Sequence, residues 1–137
     1  MGLILDRSTL VTAERQGHSV RQIFAQLRSG HGEADPGLAS VTVVEFAHGI
    51  ERAKLDIHRQ RRQAFLDDLI ADLPIYPLTA EIAQLAGKIS GQEAERGITL
   101  PFEDLLIGAT ALQLGFDVIT NNVRHFAMIP GLVVRQL

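Results

Sequence analysis

The chain contains no cysteine. This absence excludes disulfide bonds, thiolate metal sites and cysteine nucleophiles, and it fits a reducing, intracellular setting. No apolar run approaches the ~20 residues that a membrane-spanning helix needs. The N-terminal run Leu3–Leu5 is far too short for the apolar region of a signal peptide. We therefore expect a soluble, cytoplasmic protein that makes no membrane contact.

The signatures of several enzyme classes are also missing. The sequence has no GxxxxGK[ST] phosphate loop, no GxGxxG dinucleotide fingerprint and no GxSxG serine elbow. Its five histidines show no HxxxH pairing or other spacing typical of metal ligands, so each is expected to be a surface or hydrogen-bonded histidine. These absences weaken the case for nucleoside triphosphate binding, dinucleotide binding and serine hydrolysis.

The length and the composition predict one globular unit. A chain of 137 residues suits one core, so we expect a single domain over residues 1–137. The net charge of −3 argues against a protein that coats nucleic acid nonspecifically. One segment is nonetheless strongly basic, and we interpret it as a solvated helix face, with a nucleic-acid contact or an acidic partner surface left open as alternatives. Its basic residues are Arg52, Lys54, His58, Arg59, Arg61 and Arg62.

Short apolar runs alternate with longer segments of helical period, which is typical of βα units around a parallel sheet. A glycine-rich segment with one proline, Ser29–Gly37, is expected to be a surface loop. The predicted strands are Leu3–Leu5, Ala39–Val41, Pro74–Tyr76, Asp117–Ile119 and Leu132–Val134.

Helix boundaries are indicated by capping residues and by proline. One helix is expected from Thr79, a candidate N-cap, to about Gly97. An earlier helix is stopped by Pro74. Another helix follows Pro101 and ends at Gly115, where a left-handed cap suits glycine.

Polar side chains gather at the ends of the predicted strands. Asp6 ends the first strand, Glu45 follows the second, and Thr120 and Asn122 follow the fourth. The carboxyl ends of parallel strands share one edge of a sheet, where ligands bind. Crossover helices begin at the same edge, so Asp104, in the first turn of its helix, is expected to join the group.

Each acid also has a structural interpretation. Asp6 could cap a helix, Asp104 could complement a helix dipole, and Glu45 could form a capping box with Thr42. Together, three carboxylates with no basic residue in their own motifs should repel one another, and a bound cation would relieve that repulsion. Oxygen ligands favour Mg²⁺ or Mn²⁺ over zinc. Such a site suits phosphoryl chemistry, because the metal activates water and neutralises phosphate charge.

Four segments resemble the motifs of PIN-domain ribonucleases, and specifically of the VapC-like toxins of bacterial toxin–antitoxin systems. "LILDRST" holds Asp6, "SVTVVEFAHGI" holds Glu45, "PFEDLLIGATALQLG" holds Asp104 and "VITNNVRHFAMIPGL" holds Asn122. The four motifs occur in the family's order and span the chain from end to end. The third and fourth are specific, whereas the first alone is weak.

The resemblance implies an α/β fold of three layers, with a short parallel sheet of about five strands flanked by helices. It also implies that Asp6 and Asp104 ligate Mg²⁺ directly, with Mn²⁺ able to substitute. Glu45 would ligate through water or orient the attacking water. Ser8 and Thr120 would position the ligands by hydrogen bonding.

The same resemblance implies an RNA substrate, a VapB-like antitoxin that blocks the site, and a homodimer. Asn122 belongs to the expected catalytic set but departs from the family pattern, since many relatives carry aspartate there. An amide supplies only a neutral oxygen and cannot act as a base, which puts a second metal ion in doubt.

Three other functions are considered beside a ribonuclease. One is a PIN-like module that binds RNA or protein with little or no catalysis, which Asn122 favours. A phosphoreceiver domain also collects aspartates at strand ends, but it needs a lysine after its last strand, and here Pro130 and Gly131 occupy that place. A carboxylate nuclease that acts on DNA stays open, because the acids alone do not identify the nucleic acid.

Overall fold

The computed structural model describes residues 1–137, which form one parallel sheet between two layers of helices. The strands are β1 Gly2–Leu5, β2 Asp35–Ala39, β3 Ile75–Tyr76, β4 Asp117–Ile119 and β5 Val134–Arg135. The helices are α1 Arg7–Arg15, α2 Val20–His31, α3 Ser40–Glu51, α4 Asp56–Asp72, α5 Ala80–Glu95, α6 Phe102–Leu114 and α7 Val123–Phe126. The strand order is β3-β2-β1-β4-β5, with every pair parallel. The expected α/β class, with five parallel strands flanked by helices, is confirmed.

The core lies on both faces of the sheet. Successive side chains of a strand point to opposite faces, so Leu3 and Leu5 pack with α1 to α4, whereas Ile4 packs with α5 and α6. All three are almost fully buried. A central parallel strand covered on both faces has to be apolar along its whole length, which is the pattern that β1 shows.

The predicted helix ends around α4, α5 and α6 are confirmed. Thr79 Oγ1 accepts a hydrogen bond of 3.1 Å from the main-chain nitrogen of Ile82 and so caps α5. Gly115 follows α6 in the left-handed conformation, with φ of 71°. Pro74 follows the end of α4. None of the seven helices combines the length and the apolar character that crossing a bilayer requires.

The predicted loop Ser29–Gly37 is wrong. Its first residues complete α2, and its last three open β2, where Pro36 pairs with Leu3 in the sheet register. Proline is tolerated there because β3 pairs only with the later part of β2, so no neighbour on that side needs the missing N–H. Gly37 is required by packing, since a Cβ at this position would lie 2.5 Å from the Tyr76 ring.

Two other boundaries also need correction. The second strand ends at Ala39, so the remaining residues of the predicted strand Ala39–Val41 belong to α3. The fifth strand is Val134–Arg135 and begins at the last residue of the predicted run Leu132–Val134. The first correction changes the place of Glu45, which lies within α3, more than one turn beyond its start.

Candidate active site

The candidate site lies where β1 and β4 end side by side in the middle of the sheet. Leu5 pairs with Ile119 in the register, and the main-chain nitrogen of Asp6 donates to the carbonyl of Ile119 at 2.9 Å. The sheet grows outward from this pair in both directions, with β2 beyond β1 and β5 beyond β4. Such a switch point leaves a crevice at the carboxyl ends of the two strands.

Asp6 is held in this crevice by two hydroxyl groups. Its side-chain Oδ2 accepts hydrogen bonds from Ser8 Oγ at 2.7 Å and from Thr120 Oγ1 at 2.8 Å. Asp6 is 3% exposed and stands at the N-cap position of α1, but its side chain makes no capping hydrogen bond. The capping interpretation of Asp6 is therefore wrong. Both hydroxyls contact the same oxygen, which leaves Oδ1 available to a ligand.

Asp104 lies in the first turn of α6, as expected, and it contacts a histidine. Its Oδ2 is 3.0 Å from Nδ1 of His125, with side-chain exposures of 15% for Asp104 and 48% for His125. The contact is a hydrogen bond whenever Nδ1 carries a proton, in the neutral or the charged imidazole. Sequence spacing did not identify His125 as a site residue, although it was expected to be a surface or hydrogen-bonded histidine.

Glu45 faces the crevice from α3. The proposed capping box with Thr42 does not form, because Ala39 is the N-cap of α3 and Thr42 Oγ1 has no hydrogen-bond partner. Glu45 Oε1 is likewise buried without a partner. A buried acceptor of this kind is costly unless a donor or a cation satisfies it.

Asp6, Glu45 and Asp104 lie near enough to one another for their charges to affect the pKa values of Glu45 and Asp104. Burial, with the nearby Asp6 and Asp104 carboxylates, raises the pKa of Glu45 from 4.5 to about 7, although the positive charge of Arg7 acts in the opposite direction. A carboxylate with a pKa near 7 is able to exchange a proton at neutral pH.

The pKa of Asp104 is also raised. Burial is the largest cause and the charge of Asp6 adds to it, whereas the hydrogen bond and the charge of His125 lower the value. The expectation that no basic residue lies within the motifs is therefore wrong. Arg7, which directly follows Asp6, and His125 both offset part of the repulsion among the carboxylates.

The oxygen ligands available at the site suit a hard divalent cation, but they do not form a complete metal-binding site. No three His, Asp or Glu side chains are grouped closely enough to form a ready metal site. The buried, unpartnered oxygen of Glu45 and the carboxylate of Asp6 are nevertheless oxygen donors of the kind that Mg²⁺ and Mn²⁺ prefer.

The segment after β4 contributes main-chain hydrogen bonds to the site as well as the expected side chains. Asn122 is exposed, its side chain makes no hydrogen bond, and its main-chain nitrogen donates to Thr120 Oγ1 at 2.8 Å. Asn121 donates from its main-chain nitrogen to Ser8 Oγ at 3.1 Å and from Nδ2 to Thr12 Oγ1 at 3.1 Å. Hydrogen bonds thus join Asp6, Ser8 and Thr120 directly, whereas the Asn122 amide lies at the rim.

The chain is therefore an α/β protein with a parallel sheet flanked by helices. Its acids come from three separate elements near the carboxyl ends of the central strands. The PIN-domain family matches residues 3–132. The chain therefore belongs to the PIN-domain family, and the resemblance found in the motifs is confirmed.

Named relatives place the chain near the VapC group of that family. It is 30% identical over 134 residues to Ribonuclease VapC1 of Rickettsia felis, covering 98% of this chain and 95% of that protein. It is 28% identical over 99 residues to the tRNA(fMet)-specific endonuclease VapC of Salmonella typhimurium, covering 72% and 73% of the two chains.

Solved structures show the same fold. The structure of VapBC2 from Rickettsia felis bound to a DNA fragment from its promoter matches with a TM-score of 0.84 at 21% identity, covering 100% of this chain and 99% of that chain. DNA-bound VapBC from Salmonella typhimurium matches with a TM-score of 0.83 at 24% identity, covering 99% and 98%. At these identities the likeness supports the fold.

Proposed function

We propose that this chain, as one PIN domain over residues 1–137, is a ribonuclease that hydrolyses phosphodiester bonds in RNA. We further propose that it is the toxin of a VapBC-type pair, neutralised by a VapB-like antitoxin and acting in the cytoplasm. Family membership and 30% identity to a ribonuclease over nearly the whole chain support this function. The structural observation that carries it is the buried carboxylate of Asp6, which is fixed by two hydroxyls and lies near enough to Glu45 for its charge to raise the pKa of that residue.

We propose roles for the site residues that follow from the family resemblance. Asp6 and Asp104 would hold Mg²⁺, or Mn²⁺ in its place, and Glu45 would contact the ion through water. When bound, such an ion supplies an activated water and neutralises charge on the phosphate. Glu45, whose Oε1 is buried without a protein partner, would orient that water and accept its proton.

The remaining site residues position these groups. Ser8 and Thr120 hold Oδ2 of Asp6, so that its other oxygen keeps one direction. His125 keeps Asp104 oriented and favours its ionised form. Asn122 offers an exposed amide at the rim, where it would donate a hydrogen bond to the substrate.

A basic groove beside the acids supports a polyanionic substrate. Helices α1, α3 and α4 enclose a cavity of about 370 Å³ whose walls include Arg7, Arg15, His58, Arg61 and Arg62. Arg7 lines the groove and its charge also acts on Glu45, so the groove lies beside the acid site. Phosphates of a bound strand would pair with these side chains while one phosphate reaches the acids.

Only part of the basic segment faces this groove. Arg59 pairs with Asp56 at 3.6 Å and donates to the carbonyl of Ala53, so it serves α4 itself. His58, Arg61 and Arg62 border the groove instead. The interpretation as a solvated face therefore suits Arg59, and we propose a nucleic-acid contact for His58, Arg61 and Arg62.

We also propose a homodimer. Two large apolar side chains, Val44 in α3 and Phe102 in α6, are 65% and 66% exposed on helices that contact each other. A second copy of the chain covering them would remove an apolar surface from water. Light scattering of the purified protein tests this, and a monomer at micromolar concentration would contradict it.

The nuclease activity is tested on protein freed of any partner. We expect cleavage of single-stranded RNA with Mg²⁺ or Mn²⁺, no cleavage in EDTA, and little cleavage with Ca²⁺. A protein that binds RNA but cleaves none with either metal would instead support the alternative, a PIN-like binding module. The neutral Asn122 and the pairing of Asp104 with His125 are the observations that favour this alternative.

The toxin role has a separate test. Expression of the chain should arrest growth, and co-expression of the small protein encoded beside it should restore growth. Normal growth during expression of a preparation that cleaves RNA in vitro would contradict the toxin role while leaving the enzyme in place.

A further inference from the structure

A second cavity lies on the opposite side of α1 from the basic groove. Its volume is about 410 Å³, and it is formed by α1, α2 and the segment after β4. Thr9, Thr12 and Gln16 face it, recurring at three- and four-residue spacing along one side of α1. Arg7 and Arg15 leave α1 on the other side and line the groove. The helix that begins beside Asp6 therefore separates two sites of different chemistry.

The second cavity is lined mostly by polar, uncharged side chains, with Ala13 and the C-terminal Leu137 as its apolar residues. No Lys, Arg, His, Asp or Glu lines it, so its side chains offer neither the cations that a phosphate needs nor the carboxylates that a metal needs. It offers the exposed amides of Gln16 and Gln26, whereas the amide of Asn121 and the hydroxyl of Thr12 are hydrogen-bonded to each other at 3.1 Å. Thr9 is 1% exposed, and its Oγ1 is itself buried and has no hydrogen-bond partner. Amides present donors and acceptors side by side, which is the pattern needed to read the edge of a nucleobase.

This cavity is connected to the candidate active site by a short chain of hydrogen bonds. Asn121 in its wall donates to Thr12 Oγ1 and, from its main chain, to Ser8 Oγ, both at 3.1 Å. Ser8 Oγ in turn donates to Asp6 Oδ2 at 2.7 Å. A group that contacts Asn121 in the cavity is therefore linked through Ser8 to the carboxylate of Asp6.

We propose that this cavity binds the base of the nucleotide next to the scissile phosphate, and that Gln16 and Gln26 select that base. The proposal rests on the ribonuclease function above and adds the means of sequence selection. Because no aromatic ring lines the cavity, selection depends on hydrogen bonds to the base edge. The base has to leave its stack to enter, which restricts cleavage to unpaired segments of RNA.

The test uses the full chain, with Mn²⁺, on a pool of short single-stranded RNAs of random sequence, with sequencing of the cut ends. The wild-type protein should show a preference for one base at one position beside the cut. Gln16→Ala and Gln26→Ala should lower that preference roughly tenfold, the effect of one lost base contact. Gln84→Ala, at a glutamine on α5 that is also exposed, is the matched control and should keep the wild-type preference. Circular dichroism melts confirm that all variants fold.

The outcomes separate this proposal from the one on which it depends. If wild-type protein cuts RNA and both glutamine variants keep its preference, the base site is wrong and the ribonuclease stands. If wild-type protein cuts no RNA with metal, both proposals fail. If the variants keep the RNA preference but weaken the complex with the antitoxin, the cavity holds a protein segment and the base site is overturned.

Discussion

Oδ2 of Asp104 lies 3.0 Å from Nδ1 of His125, so the acid that opens α6 is paired with the short helix after β4. The two residues are 21 positions apart, and only the folded chain brings them together. The contact lowers the pKa of Asp104 against the effects of burial and of Asp6. His125 is therefore a positioning residue for the acid.

His125→Ala should move the acidic limb of the pH–rate profile to higher pH. Without the hydrogen bond and the charge of His125, the pKa of Asp104 rises, and a smaller fraction of the acid is ionised at each acidic pH. Cleavage should therefore fall more at pH 6 than at pH 8. His125→Gln, which keeps a donor without the charge, should lie between the two. Superimposable profiles for all three proteins would remove this role.

Asp104→Asn should abolish cleavage but leave the metal-free protein as stable as the parent or more so. The change removes a like charge from the carboxylate cluster. Thermal melts in EDTA provide the comparison, with Asp68→Asn, the same substitution at an exposed position of α4 away from the acids, as the control. Strong destabilisation by Asp104→Asn alone would make the residue a structural helix-terminal acid.

Metal should stabilise the parent protein more than it stabilises Asp104→Asn. For one site the stabilisation is RT ln(1 + [L]/Kd), or about 1.4 kcal/mol at tenfold excess over Kd. For a domain of this size the melting temperature should rise by several degrees. Melts of both proteins with and without Mn²⁺ measure the difference, and equal shifts would place the ion elsewhere.

Glu45 should make the metal-free protein less stable as the pH rises. Its pKa is about 7 in the folded chain and 4.5 ordinarily, so between these values the folded state binds more protons than the unfolded state. Stability therefore falls across this window, and the full penalty is present above about pH 7. Glu45→Gln should gain stability relative to the parent as the pH rises from 4.5 to 7. Unfolding by urea in EDTA measures this, with the exposed Glu51→Gln as the control.

Thr120→Val should weaken both the fold and the reaction. The substitution keeps the shape but removes a donor to the buried Asp6 carboxylate, which costs about 1 to 3 kcal/mol. Cleavage should fall at least tenfold, because the Asp6 oxygen loses its fixed direction. Thr110→Val is a matched control, since that hydroxyl donates to the carbonyl of Leu106 within α6. Equal effects of the two valine variants on cleavage would argue against the role of Thr120.

The sequence predicted the part of the site that depends on strand ends and helix starts. Asp6 and Thr120 follow buried apolar runs, and Asp104 follows a proline that opens a helix, so their common edge could be inferred. His125 could not, because its role depends on a tertiary contact with Asp104. Arg7 was visible beside Asp6, but its action on Glu45 depends on where α3 packs.

The region before β2 was missed for a local reason. The glycines and the proline between residues 29 and 37 are typical of a loop. In the sheet, however, the pairing of β2 with β1 and β3 accommodates Pro36 and Gly37. A helix signal was nevertheless present, since Ser19 and Gln22 form a capping box at the start of α2. Such a reciprocal cap is readable in the sequence as serine followed three residues later by glutamine.

Cleavage of RNA and of DNA of the same base sequence, by the wild-type protein and by Asp6→Asn, tests the central claim most directly. Both proteins are freed of any partner and supplied with Mn²⁺, and each reaction is repeated in EDTA. The account predicts that the wild-type protein cuts the RNA only when metal is present and leaves the DNA intact. The Asp6→Asn variant should cut neither. Cleavage of RNA that persists in Asp6→Asn or in EDTA would contradict it.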